Sequence, residues 1–154
     1  MSVVVEIVRS CSDELLRGFN HLVPQLSSSA PALTSDDLQR LVDSDASTIF
    51  VATDDGVMVG ALTLVVFPIP TGLRAWIEDV VVDVNTRGLG VGEALTMAAI
   101  DEARRLGVRS IDLTSRPSRE AANALYQKLG FSQRSTNVYR FFIESSEGPA
   151  LDLQ

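Results

Sequence analysis

The chain has 154 residues, 45% of them hydrophobic and 21% charged, which suits one globular domain with its own core and excludes wholesale disorder. Thirteen Lys and Arg against twenty Asp and Glu give a net charge of -7 and a pI of about 4.6; such a surface repels phosphate backbones and argues against a nucleic-acid partner, while it either attracts a cationic molecule such as an amine or simply keeps the chain in solution. Cys11 is the only cysteine, so no intrachain disulfide forms; no apolar run reaches the ~18 residues of a membrane span and no signal peptide opens the chain, so a cytoplasmic location is expected.

Val3 to Val8 is rich in β-branched residues and predicts a first strand. Ser12 then suits an N-cap, with Asp13 and Glu14 in the first turn, and Leu15, Phe19, Leu22 and Leu26 follow at helical spacing. Thr34 opens a second, short helix carrying Leu38, Leu41 and Val42. Thr48–Ala52 and Val57–Val66 predict two strands joined at Asp54-Asp55-Gly56, a hairpin turn signal. Ala75 to Val84 predicts a central strand, interrupted by Glu78, Asp79 and Asp83. After a glycine-rich turn, a helix places Val91, Leu95, Ala99, Ala103 and Leu106 on one stripe and stops at Gly107. Val108–Thr114 predicts another strand, Ser118 caps a helix to about Leu129 with Gly130 at its end, and Thr136–Ile143 predicts the last strand. The order β-α-α-β-β-β-α-β-α-β implies an α/β (α+β) fold with a mixed, largely antiparallel sheet and helices on both faces. A single domain is expected over residues 1–143, with a polar tail over 144–154.

The turn Arg87-Gly88-Leu89-Gly90-Val91-Gly92-Glu93 links a strand to a helix. Glycines let the main chain turn tightly there, and the helix N-terminus supplies unpaired N–H donors and a positive dipole end, a combination suited to a pyrophosphate. A ligand-free turn is the plain alternative. A dinucleotide loop of the Gly-x-Gly-x-x-Gly type fails on both registers, because Glu93 and Leu95 stand where its third glycine belongs. The Gly-Lys-Ser/Thr of a nucleotide-triphosphate loop is absent.

Arg-x-x-Gly-x-Gly over Arg87–Gly92 resembles the signature of the GNAT superfamily of N-acetyltransferases. Ile77-Glu78-Asp79-Val80-Val81-Val82-Asp83 looks like that superfamily's fourth strand, and Leu125-Tyr126-Gln127-Lys128-Leu129-Gly130-Phe131 resembles its Leu-Tyr-x-x-x-Gly-Phe motif. The resemblance implies that Arg87, Gly88, Leu89, Gly90, Val91, Gly92 and Glu93 hold the pyrophosphate of acetyl-CoA, the acyl donor, and that main-chain groups of Val80, Val81 and Val82 pair with its pantetheine arm. It implies an oxyanion contact from a main-chain N–H near Val80. Tyr126 would meet the CoA sulfur, as acid or as hydrogen-bond partner, and Glu78 is the candidate base. Asp79 points to the opposite face of a regular strand, although a bulge would change that. Many relatives carry asparagine where Arg119 stands here; Arg119 and Asn123 are therefore candidate cofactor contacts or plain helix residues.

The remaining residues stay open. His21, the sole histidine, has no partner histidine for a metal site, and none is expected. Cys11 lies far from the motifs and is not needed as a nucleophile. Trp76 and Tyr139 suit either core packing or the acceptor pocket. Ile77-Glu78-Asp79 resembles the strand of enzymes that acetylate glucosamine 6-phosphate. The expected activity is acetyl transfer to an amine; an acyl-CoA-binding sensor or subunit without turnover is the alternative. Asn137–Ile143 offers an edge for a homodimer, as in relatives.

Overall fold

The computed structural model describes residues 2–143; the tail expected over 144–154 lies outside the described residues. The chain divides after Leu113 into two compact units.

The first unit runs β1 (Val3–Ile7), α1 (Asp13–Leu26), α2 (Ser35–Asp43), β2 (Ser47–Asp54), β3 (Val57–Ile69), β4 (Gly72–Val82), α3 (Val91–Arg105) and β5 (Ile111–Asp112). Its five strands lie in sequence order, β1 to β4 antiparallel and β5 parallel to β4. The sheet is thus mixed and largely antiparallel, as expected. Asp55 and Gly56, with φ of 50° and 80°, form the β2–β3 turn; two left-handed residues are what a tight hairpin requires.

Helices α1 and α2 start where the sequence signals placed them. Ser12 accepts the Leu15 N–H at 3.0 Å. Thr34 and Asp37 exchange side-chain and main-chain bonds in a capping box. The sheet has two covered faces. On one, Phe19 and Leu22 of α1 and Leu38 of α2 pack on Ile49, Val51, Ala61 and Val81. On the other, the predicted stripe of α3 is buried at Val91, Leu95, Ala99 and Ala103, while Leu106 at its end is exposed. Strand alternation gives that face Phe50, Ala52, Leu62, Leu64, Ala75 and Ile77, all buried. Gly60 lets α3 approach closely, since a Cβ there would sit 2.9 Å from Val91 Cγ1. Leu95 is fully buried, and burial of one such side chain contributes about 1.5–3 kcal/mol.

The second unit contains α4 (Glu120–Lys128). Its N-cap is Arg119, which makes no side-chain cap bond, rather than the expected Ser118. At the other end Gly130, with φ of 104°, donates to Gln127 O and Phe131 donates to Tyr126 O. This is a Schellman stop.

Two predicted strands come out differently. The one over Val108–Thr114 shortens to Ile111–Asp112. Among the described residues, Thr136–Ile143 forms no strand, and Val138, Tyr139, Phe141, Phe142 and Ile143 are exposed. Alternating β-branched and aromatic residues favour a pleated, half-buried surface only when a partner strand supplies one.

Candidate functional site

β4 is irregular where the motif residues lie. Ala61 pairs with Val81, but Thr63 pairs with Glu78, so β4 carries one residue more than β3 across this step. Asp79 absorbs the excess with φ of 51°, a left-handed conformation uncommon outside glycine. Residues three apart face opposite sides of a regular strand. The bulge cancels that offset and brings Glu78 to the face of Val81, which is the α1/α2 face. Glu78 and Asp79 are exposed, and Trp76, two residues before Glu78, is half-buried on the same face.

The bulge lies beside an open edge. Among the described residues β5 pairs with β4 only at Ala75 and Trp76, so β4 continues from Ile77 to Val82 without that neighbour. Asp83 N–H donates to Val59 O at 2.8 Å. Antiparallel alternation therefore turns the main-chain groups of Val81 toward β3 and those of Val80 and Val82 outward, to the edge β5 has left. Val82 O accepts a long bond from Arg87 Nε at 3.4 Å. Of the three predicted pantetheine contacts, the outward-facing pair is Val80 and Val82; Val81 contributes its buried side chain to the core.

The glycine turn follows after one 3-10 turn, Val84–Thr86. Residues 87–90 are exposed, and Gly88 and Gly90 take φ of 80° and 87°. A Cβ at either would meet nothing within 4 Å. Glycine is thus required there by main-chain conformation and not by crowding, and the space above the turn is open. Gly90 is the N-cap of α3 and makes no side-chain cap bond. The first turn of α3 comprises Val91, Gly92 and Glu93, and Thr96 Oγ1 returns a bond to Gly92 O at 2.7 Å. An uncapped helix start under an open, glycine-shaped turn fits an anion such as a pyrophosphate.

The base of this turn holds a cluster that the sequence did not disclose. Asp83 accepts from Asn85 N at 3.0 Å and meets His21 Nε2 at 2.8 Å. Thr86 donates its N–H and its hydroxyl to Asp83 O. Gln25, one turn along α1 from His21, accepts the Val84 N–H at 2.9 Å. The Asn85 and His21 bonds hold the Asp83 carboxyl below its ordinary range despite burial. His21, the sole histidine, is 60% exposed yet paired. A contact across 62 residues leaves no local trace. Cys11 packs, half-buried, beside the α1/α2 core.

In the second unit, Tyr126 is buried and its ring packs edge-on against Phe131, with centroids 5.8 Å apart. The spacing of Leu-Tyr-x-x-x-Gly-Phe is the Schellman stop itself: the glycine turns, and the residues at its two ends touch. Burial raises the Tyr126 pKa, against the opposing charge of Arg119. Arg119 is exposed. Asn123 spends its amide donor on Arg116 O at 2.9 Å, so it completes the turn before α4. Ser115 Oγ is buried and has no hydrogen-bond partner among the described residues. Tyr139 is exposed, its hydroxyl 3.3 Å from Asn137 Nδ2.

Known proteins share this chain's sequence and fold. The model of the acetyltransferase (GNAT) family matches residues 15–131, more than half of the chain. Glucosamine 6-phosphate N-acetyltransferase 1 of Oryza sativa is 30% identical over 143 residues, 84% of this chain and 82% of that protein. N-alpha-acetyltransferase 30 of Schizosaccharomyces pombe is 31% identical over 77 residues; the match takes 50% of this chain and spans about half, 51%, of that relative. A crystal structure of an acetyltransferase from Trypanosoma brucei superposes with a TM-score of 0.75 at 26% identity, covering 91% of this chain and 99% of that one. The chain belongs to the acetyltransferase (GNAT) family.

Proposed function

We propose that the chain is an acyl-CoA-dependent N-acetyltransferase that moves the acetyl group of acetyl-CoA to a primary amine by direct attack. One observation carries this reading. Within the first unit, the bulged, open-edged end of β4 leads, through one 3-10 turn at Val84–Thr86, into a glycine turn that starts α3. Outward main-chain groups on Val80 and Val82 suit the amides of pantetheine. The turn from Arg87 to Glu93 suits the pyrophosphate, with Arg87 adding charge.

An alkylamine with a pKa of roughly 10 is neutral in only about one molecule in a thousand at pH 7. A base therefore helps, directly or through water, and Glu78 is the proposed one. Its support is placement: the bulge turns it to the face covered by α1 and α2. The neutral amine attacks the thioester carbonyl, a main-chain N–H near Val80 stabilises the oxyanion, and collapse expels the CoA thiolate. Tyr126 is proposed as the acid that protonates this thiolate. Its support is the motif and a phenol that burial keeps protonated. Arg119 is proposed as a cofactor contact, and Asn123 as one through its carbonyl oxygen. No step calls on a metal.

The family match runs through both units, which supports one acetyltransferase domain over 1–143. An amino sugar phosphate is the proposed acceptor class, after the rice relative's name and the Ile77-Glu78-Asp79 match. No described helix is long and apolar enough to cross a membrane, and one cysteine asks for no oxidising compartment, so the proposed location is the cytoplasm. The exposed hydrophobic residues Val138, Tyr139, Phe141, Phe142 and Ile143 support a homodimer, which light scattering would report as twice 16.6 kDa.

The experiment is titration calorimetry with acetyl-CoA, followed by a thiol-release assay over amino sugars, aminoglycosides, amino acids and peptides. Binding with acceptor-dependent release supports the proposal. Binding without release on any acceptor favours a non-catalytic acyl-CoA sensor, and absence of binding removes the assignment.

A further inference from the structure

We infer that His21 and Gln25 on α1 are positioning residues for the acyl-donor loop, holding its base in register so that the glycine turn can grip an anion. This rests on the donor-site reading above. The turn has little order of its own: Gly88 and Gly90 touch nothing beyond the main chain where a side chain would be, and Leu89 is 55% exposed. Glycines in the left-handed region are permissive and lose the most conformational freedom when fixed. Yet main-chain donors bind an anion well only when they are already aligned.

The alignment enters from the base of the turn. Asp83 makes the last main-chain bond to β3 before the turn, through Val59 O. Its carboxyl ties Asn85, and its carbonyl ties Thr86. From α1, His21 holds the free side of that carboxyl at 2.8 Å, and Gln25 takes the Val84 N–H at 2.9 Å. The pair sits at i and i+4, on one face of the helix. Four consecutive residues, 83 to 86, are therefore pinned between the sheet and α1 immediately before Arg87. The same helix covers the face that carries Glu78, so α1 reaches both ends of β4's motif.

The test compares wild-type protein with His21→Ala, His21→Gln and Gln25→Ala. Glutamine places an amide donor close to where the imidazole Nε2 stands, so it keeps the bond to Asp83. Amide exchange over residues 84–92 is measured without ligand, and acetyl-CoA Kd, KM and kcat are measured alongside. If the unbraced loop is competent about a tenth of the time, apparent donor affinity falls about tenfold. The expected result for His21→Ala is about tenfold faster exchange in the loop and about tenfold higher Kd and KM for acetyl-CoA, with kcat and the amine KM within about twofold of wild type. Gln25→Ala shifts the same quantities in the same direction, and His21→Gln stays within about twofold of wild type. Unchanged exchange and donor affinity in both alanine variants overturn the inference. So does a His21→Gln protein as defective as His21→Ala, or a loss confined to kcat or to the amine KM. Wild-type protein that binds no acetyl-CoA sinks the donor-site reading instead, while the exchange arm still reports on the brace. His21 is largely exposed, and Gln25→Ala keeps the test available if His21→Ala fails to fold.

Discussion

At the scale of single residues, protonation decides the chemistry. Burial raises the Tyr126 pKa above its ordinary value of 10.0, so the phenol keeps its proton through neutral pH and can give it to a thiolate. Tyr126→Phe keeps the ring contact with Phe131 and removes only the hydroxyl. We expect kcat to fall on the order of 10²-fold, with acetyl-CoA affinity retained; steady-state rates together with calorimetry check this, and near-normal turnover removes the acid role. Glu78→Gln should lose a similar factor at pH 7, and its remaining rate should climb about tenfold per pH unit as the amine deprotonates unaided. A pH–rate profile that matches wild type in height and shape would take the base role from Glu78. Asp83 offers a stability test. Its folded pKa lies below the ordinary aspartate value of 3.8, so its bonds to Asn85 and His21 contribute fully above about pH 4 and are lost as the pH falls through the depressed folded value. Denaturant melts at pH 6 and pH 3 should show a larger acid loss for wild type than for Asp83→Asn. Equal losses would show that the carboxylate is not linked to folding.

At the scale of elements, glycines and one bulge shape the motifs. Gly90 sits at φ of 87° as the N-cap of α3, where a Cβ costs about 1–2 kcal/mol. Gly90→Ala should lower stability by about that amount in urea melts and weaken acetyl-CoA binding as well. Equal stability would mean that the turn relaxes to another conformation. The glycine stops at Gly107 and Gly130 and the caps at Ser12 and Thr34 were legible because capping acts within four or five residues. The bulge at Asp79 was only a conditional reading, since nothing local to Glu78-Asp79-Val80 marks an extra residue; it appears in the pairing with β3. The strand expected over Thr136–Ile143 had the right residues, but its pairing is a property of a partner and not of its composition.

At the scale of the whole molecule, a ligand that binds only the folded chain must stabilise it. Acetyl-CoA at about 100 times its Kd adds about 2.7 kcal/mol, or roughly 5–10 °C in Tm for a chain of this size. Thermal melts across a concentration series check this, and a flat response argues against the donor site. The face occupied by each helix follows from α1 and α2 sharing one core and α3 packing through Gly60 on the other. Hydrophobic spacing predicted that these helices bury a stripe, but did not say on which side of the sheet.

The sequence alone determined what depends on near neighbours: the order of elements from β1 to α4, the helix caps at Ser12 and Thr34, the hairpin at Asp55-Gly56, the glycine turn at Gly88–Gly92, and the family, through motifs that are themselves short-range stereochemistry. Only the tertiary structure decided which way those parts face. It turned Glu78 onto the α1/α2 side, directed Val80 and Val82 outward while burying Val81, and brought His21 to Asp83 across 62 residues. The reason is physical. Capping and turn energies are set within a few residues of chain, whereas strand register and side-chain pairing are settled by contacts between segments that meet only once the sheet is assembled.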